Sequence, residues 1–333
     1  MGGSTILALG LAVAVPPDER VLQLPGGDGP GGGRHVVLVA GDEEYRSEEA
    51  LPMLARLLAK RHGFRCTVSF STDPETGAID PAQAAVQPGL EHLETADMLV
   101  LFTRFREWPD AEMARFVRYI ESGRPILGIR TATHAFQYRR NPGSPYAHWD
   151  WRSETWPGGF GRQVLGETWV AHHGAHGSQS TRGVLEPKHA GHPVLRGVRD
   201  LWGPTDVYAI GDLPDDARML VRGRILDGMT PDAPALEGPK NDPMMPIVWV
   251  RDRPLEGGAT QRVVCSTLGS SVDLECADLR RLFVNAVYWG VGLDVPEAAE
   301  AEPVGAYEPT PFGFGTHRAG VRAREFSLDA KGF

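Results

Sequence analysis

Three short stretches of this chain gather side chains that can do chemistry. The first is Gly128-Ile-Arg-Thr-Ala132, where an apolar run (Ile126, Leu127, Ile129) meets the small residues Thr131, Ala132 and Thr133. That pattern suits a buried strand turning abruptly into a helix, the platform on which α/β enzymes display a nucleophile. The exposed position of the turn holds Arg130, neither thiol nor hydroxyl. A guanidinium at the end of a central strand needs a partner, either the carboxylates of the loop after the first strand or an anionic or carbonyl substrate that it polarises. His134, one turn further on, either carries protons in the same cleft or bonds to backbone.

The second stretch is Ala171-His-His-Gly-Ala-His-Gly177, with three of the 11 histidines inside five residues. Gly174 and Gly177 argue against a helix, so the imidazoles sit on a loop where they can converge. Neutral imidazole moves protons near pH 7 and ligates metals. His173 is therefore a candidate proton carrier, while His172 and His176 with a carboxylate would hold a divalent metal. The competing reading is a Gly-rich loop whose histidines bind backbone, water or substrate hydroxyls. No HExxH is present.

The third stretch is Asp42-Glu-Glu-Tyr45, at the carboxyl end of the first buried strand. Its carboxylates can orient hydroxyls or act as a base, or form a solvated turn that caps the next helix. Asp42, Glu44 and Tyr45 are candidate sugar-binding residues. Arg104 joins them, with Arg106 and Trp108 nearby, because a planar fork beside an aromatic ring suits a sugar or carboxylate. Trp202 is a further binding candidate, and Asp206 can orient a histidine. The chain has no GxxxxGK[ST], strand-linked GxGxxG, CxxC or GxSxG, which argues against nucleotide-driven chemistry and ordinary serine hydrolysis.

These residues need a frame. Strands are expected over His35 to Ala40, Phe64 to Phe70, Asp97 to Phe102 and the run before Arg130, with helices from Ser47 to about His62 and from Pro109 to Gly123. Such alternation predicts an α/β fold with a parallel sheet covered on both faces and ligands at the carboxyl ends of its strands. Between 141 and 203 periodicity fades, and Gln163-Val-Leu and Thr168-Trp-Val-Ala are the expected short strands among long loops. Pro246 to Val250 and Arg262 to Leu268 read as late strands, and Asp278 to Val291 as a closing helix.

The chain has 333 residues, a net charge of -9 and no long run of Lys or Arg, so nucleic acid is not an expected partner. With 40 glycines and 27 prolines, about a fifth of the chain suits long ordered loops. Three cysteines in or beside apolar segments read as buried thiols. Residues 1–15 carry a ten-residue apolar stretch, Ile6 to Val15, resembling a signal peptide without its basic start and too short to span a membrane. An exported or periplasmic protein is expected, with a cytoplasmic one as the alternative. Residues 16–33 read as a Gly/Pro linker that cannot pack, 34–296 as the folded domain, and 297–333 as an extended tail wrapping the surface.

Gly128-Ile-Arg-Thr-Ala, Gly191-His-Pro-Val-Leu-Arg-Gly-Val198, Pro246-Ile-Val-Trp-Val, Cys265-Ser-Thr-Leu-Gly269 and Phe283-Val-Asn-Ala-Val-Tyr-Trp-Gly-Val-Gly292 occur in an order that resembles the ThuA-like (trehalose utilisation) family, over about Arg34 to Pro296. The resemblance implies a class I glutamine-amidotransferase-like fold: a flavodoxin-like three-layer sandwich around a mostly parallel sheet, from which the amidotransferase cysteine has been lost. ThuA-like proteins often show a histidine where this chain has Arg130. The family is similar to proteins of disaccharide metabolism, including oxidised keto-sugars.

Three functions compete. The leading one is a carbohydrate-active enzyme working by hydrolysis, elimination or isomerisation, in which Arg130, His134, His173 and Asp206 form the catalytic set around a small carbohydrate ligand. The second is a non-catalytic module that binds a glycan or a protein. The third is a metal-dependent hydrolase built on His172 and His176.

Overall fold

A computed structural model describes residues 18–330 of the chain. The apolar Ile6 to Val15 segment lies outside the described residues. The chain runs β1 (Val21–Leu24), β2 (His35–Gly41), α1 (Ser47–His62), β3 (Arg65–Phe70), β4 (Met98–Thr103), α2 (Asp110–Glu121) and β5 (Ile126–Ile129). It continues through β6 (Ala171–His172), β7 (Ser180–Leu185), β8 (Trp202–Gly203), β9 (Tyr208–Ala209), β10 (Ala217–Leu226), β11 (Met245–Pro254), β12 (Thr260–Ser266) and α3 (Ala277–Gly290).

Local chemistry explains the best-defined elements. Glu48 and Glu49 sit in the first turn of α1 and Lys60, Arg61 and His62 in its last, each matching the sign of the helix dipole at that end. Gly63 then adopts φ 79°, which closes the helix and lets its N–H reach the Leu58 carbonyl. In β2 the side chains alternate between two cores. Val36, Leu38 and Ala40 pack with α1 and α3, while Val37 and Val39 pack with α2.

Ten strands form one sheet in the order β1-β3-β2-β4-β5-β12-β11-β10-β7-β8. Pairings from β3 through β12 are parallel, and those of β1 and of the β12-to-β8 extension are antiparallel. The fold is therefore α/β with a mixed sheet whose parallel centre is carried by the alternating first half of the chain. A separate two-stranded piece pairs β6 with β9.

Four sequence expectations give way. The described part of the 16–33 stretch, residues 18–33, is not a linker that cannot pack: β1 pairs with β3, Gly31 N–H donates to the His62 carbonyl, and a Cβ at Gly29 would meet His62 backbone at 2.7 Å. Short, Gly-rich segments carry little periodicity, so the strand was masked by its flanks. Gln163-Val-Leu lies in one π-helical turn, Gly161–Leu165, not a strand. Of Thr168 to Ala171 only Ala171 enters a strand. After β5 the chain makes a single 3-10 turn, Arg130–His134, in place of a helix.

No helix among the described residues is long and apolar enough to cross a membrane.

Candidate active site

Arg130 occupies the crest of the turn after β5 with φ 43°, a left-handed conformation costly for any residue with a Cβ. Tertiary contacts hold it there. The guanidinium is fully buried, lies 4.1 Å from the ring centres of both Tyr45 and Tyr208, and pairs with Asp206 Oδ1 at 3.0 Å. Its Nη1 donates to the carbonyls of Asp206 (3.2 Å) and Thr267 (2.7 Å). Packed between two phenol rings and bonded to protein, Arg130 is an anchor below the cleft and not a free electrophile on its surface. Burial opposes its charge, but the surrounding phenols and carboxylates leave its pKa well above the ordinary arginine value.

Asp206 passes this anchorage upward. Its Oδ1 also receives His176 Nδ1 at 3.1 Å, and its Oδ2 receives His172 Nδ1 at 2.8 Å. Burial would raise the Asp206 pKa, yet the two imidazoles and Arg130 bring it below the usual carboxylate range, so the group is ionised. An ionised carboxylate only accepts, which fixes both imidazoles as Nδ1–H donors and turns His172 Nε2 away from Asp206 and His176 Nε2 toward Glu44. The two imidazole rings lie 4.7 Å apart, each about one-third exposed above a carboxylate that is not exposed at all.

Glu44 completes the cluster from the loop after β2. Its Oε1 stands 3.3 Å from His176 Nε2 and its Oε2 3.9 Å from Arg104 Nη2. Burial first, and Asp42 second, push the Glu44 carboxyl above its ordinary pKa. Bonding to Asp206 raises that of His176, with Glu44 adding to the effect. His176 thus stands between two carboxylates that favour its charged form.

The other candidates take supporting places. Asp42 is buried; its Oδ1 accepts from the Glu44 N–H at 2.8 Å and from the Tyr45 N–H, and its Oδ2 from Thr131 Oγ1 at 2.5 Å. It therefore ties the acidic loop to the Arg130 turn, with both of its oxygens engaged by protein. Tyr45 lends its ring to Arg130 and His176. Arg104 pairs with Glu43 and lies over Phe105 and Phe314. His134 is buried between Phe105 and Trp169, at 5.2 Å from each ring, and burial holds its pKa far below the ordinary histidine value. It backs the cleft as a neutral ring with Nδ1 on Thr133 Oγ1 (3.2 Å).

Two candidates point elsewhere. His173 Nε2 bonds the Lys240 carbonyl at 2.8 Å, away from Asp206. The cause is the period of two in extended backbone: His172 pairs with Tyr208 in the β6–β9 ladder, so its successor turns to the opposite side. Trp202 lies on edge strand β8, with its indole N–H on Ser180 Oγ at 3.2 Å, and touches none of the cluster.

Two residues outside the expected set flank the imidazoles. Trp169 packs on His172 at 5.7 Å. Phe312, from the C-terminal tail, packs on His176 at 5.3 Å and on Tyr45 at 5.6 Å. The tail is held in place by the Gly313 N–H to the Glu44 carbonyl (2.8 Å), Arg46 Nη2 to the Gly313 carbonyl (2.7 Å), and Thr310 on Glu49. Its aromatic-rich Pro309-Thr-Pro-Phe-Gly-Phe-Gly315 segment was the available sequence signal.

Three ligand atoms, one each from His172, His176 and Asp206, lie within 4.8 Å of one another. The donor set suits a borderline divalent cation. No other such group of three occurs among the described residues.

No family model matches the chain, and no curated protein matches it. Among solved structures, a ThuA-like protein from Bacteroides uniformis ATCC 8492 aligns over 80% of this chain and 94% of its own, at 16% identity and a TM-score of 0.50. A ThuA-like protein from Parabacteroides merdae ATCC 43184 aligns over 84% and 97%, at 16% identity and a TM-score of 0.48. The mmIFT52 N-terminal domain aligns over 79% and 99%, at 11% identity and a TM-score of 0.42. The chain is an α/β protein whose structural neighbours include a ThuA-like protein, in keeping with the resemblance carried by its motifs.

Proposed function

We propose that this chain is a ThuA-like enzyme that moves protons on a keto-sugar, with residues 34–296 as its main domain. The observation that carries the reading is the bonding of both His172 and His176 to one buried carboxylate, with Glu44 beside His176. One imidazole is then a base and the other, held between carboxylates, an acid. We also read the strand order β3-β2-β4-β5-β12, which is second-first-third-fourth-fifth along the chain, as a flavodoxin-like three-layer sandwich. The Ile6 to Val15 segment supports export.

In the proposed reaction, His172 Nε2 takes a proton from the carbon next to the sugar carbonyl. The C–H electron pair becomes the new C=C bond, and the carbonyl oxygen takes a proton from the His176 imidazolium, giving an enediol. Isomerisation is completed when His172 gives its proton to the former carbonyl carbon while His176 takes the O–H proton of the adjacent enediol carbon. Elimination is completed when His172 gives that proton to a departing β-alkoxide while His176 takes back the enol O–H proton, so both rings return to their starting states. Glu44 and Asp206 keep His176 charged, Arg130 keeps Asp206 in place, and Trp169 and Phe312 offer rings to the sugar's apolar faces. A thermal-shift screen against 3-keto-glycosides, followed by a turnover assay on hits, tests this. Product formation supports it; binding without product contradicts catalysis.

The His172, His176 and Asp206 grouping favours one second reading, a divalent metal centre. In that case these three residues would hold the ion, which would supply Lewis-acid polarisation of the carbonyl. Elemental analysis after metal loading separates the two: stoichiometric metal that is lost in H172N or H176N favours the centre.

A further inference from the structure

We propose that the surface beside the two imidazoles takes an arene, so that the substrate is an aryl keto-glycoside and the aryl group is the substituent expelled; this rests on the proton-transfer reading and adds its leaving group. A run of rings leads away from His172. Trp169 lies 5.7 Å from His172, Trp151 5.6 Å from Trp169, and Phe105 5.7 Å from Trp151. The Arg104 guanidinium follows, 4.4 Å from the Phe105 ring and 5.1 Å from that of Phe314. Trp169 and Phe105 are half-buried, with Trp151 nearly enclosed between them.

Three features favour an arene over a second sugar ring. The indole N–H groups of Trp151 and Trp169 are sealed from solvent without a partner, so what these rings offer a ligand is carbon alone. Hydroxyls around the edge of a second sugar would go unpaired there, and an arene has none to lose. The one charge in the run, on Arg104, is already met by Glu43. Apolar exposure is the second feature. The two large apolar side chains that stand exposed among the described residues, each at 58%, are Phe314 and Val170, the chain neighbour of Trp169. Single exposed apolar residues are ordinary, but both of these fall on segments that carry the same run of rings. The third is backbone strain. Phe105 has φ 53°, a left-handed conformation costly for a bulky side chain, and is held in it by its N–H on the His134 carbonyl at 3.1 Å. An aromatic ring is thus kept half-exposed where glycine would suit the backbone better.

The chemistry agrees with this choice. In a 3-keto-glycoside the anomeric substituent is the one that elimination expels. The bond between the anomeric carbon and the phenol oxygen breaks, and its electron pair leaves on that oxygen. The oxygen takes from His172 the proton removed from the carbon beside the carbonyl, and His176 takes back the enol proton, giving an enone and a free phenol. A phenol, with a pKa of about 10 as in tyrosine, leaves as its anion more readily than an alkyl alcohol does.

Isothermal calorimetry on the full chain with phenyl glucoside, methyl glucoside and cellobiose tests the surface apart from the proton chemistry, since none of the three carries the keto group. Phenyl glucoside is expected to bind at least about tenfold tighter than the other two, a preference lost in W169A and reduced in F105G, which removes the ring and keeps a backbone that glycine adopts freely. Cellobiose or methyl glucoside binding as tightly, a preference that both variants retain, or no binding of phenyl glucoside would each overturn the proposal. Circular dichroism keeps a folding defect separate from loss of the surface. Phenol release from phenyl 3-keto-glucoside then reads the leaving group: aryl preference without release would leave a binding surface and overturn the expulsion step, while release from wild type that H172N loses supports it.

Discussion

Arg130 and Asp206 form an ion pair at 3.0 Å in which neither side chain reaches solvent. Buried charges of this kind are held by their partners, and removing one member strands the other. Asp206 also fixes both imidazoles of the cleft, so one pair joins the stability of the Arg130 turn to the geometry of the proton-transfer groups.

Either D206N or R130M is expected to lower the unfolding free energy by about 3 to 5 kcal/mol, because each leaves an uncompensated buried partner. The double variant R130M/D206N should recover part of that loss. Urea unfolding of the four proteins measures it; strictly additive losses would mean that the two side chains do not depend on one another.

The folded-state pKa of His176 is raised, chiefly by Asp206 and further by Glu44. A group raised in this way adds stability that is fully present below its unfolded pKa and is lost as pH climbs through its folded pKa. The stability gap between wild type and H176N should therefore narrow as pH rises from below 6.5, the unperturbed value, through the folded midpoint. NMR titration of the ring should show that midpoint falling in E44Q. A midpoint that E44Q leaves unmoved would remove Glu44 from the cluster.

Glu48 is shifted in the same direction by burial: its folded carboxyl is pushed up to about 8 from 4.5. Its contribution is fully present below 4.5 and lost as pH rises to about 8. E48Q should match wild type in thermal stability at low pH and exceed it at pH 8.5, by at most on the order of 5 kcal/mol. A gap of the same size at both pH values would mean that Glu48 does not titrate in this range.

Phe312 shields one side of His176. F312A should cost about 1 to 3 kcal/mol, since the side chain is only partly buried, and should speed carbethoxylation of His176 by diethylpyrocarbonate several-fold. Mass spectrometry of the modified peptide reads this; an unchanged rate would place the tail outside the cleft.

Much of the frame could be read before any coordinates. The bounds of α1, Ser47–His62, follow from its acidic start, basic end and Gly63 stop, and the parallel strands follow from unbroken apolar runs. Arg130 stood out as a charge where small or reactive residues belong, and Asp206 as a carboxylate able to orient histidine. What sequence did not give was facing. His172 and His173 are identical by type, and only the pairing of β6 with β9, two residues long and distant along the chain, decides which of them meets Asp206. The expected partners of Arg130 were the acids of the first loop. Asp42 is instead consumed by backbone and Thr131, leaving the role to a residue 76 positions away. Phe312 and β1 were hidden for a shared reason, that Gly- and Pro-rich segments can pack closely without periodic apolar patterning.

Exchange of the proton next to the carbonyl of a 3-keto-glucoside in deuterated water, followed by proton NMR, tests the central claim most directly because it reads proton removal without waiting for product. Wild type and H173N are expected to catalyse the exchange, and H172N to lose it by about 10²- to 10⁴-fold, the usual contribution of a general base. Exchange that survives in H172N, falls equally in H173N, or is absent from the wild type would contradict proton transfer at the His172–His176–Asp206 cluster.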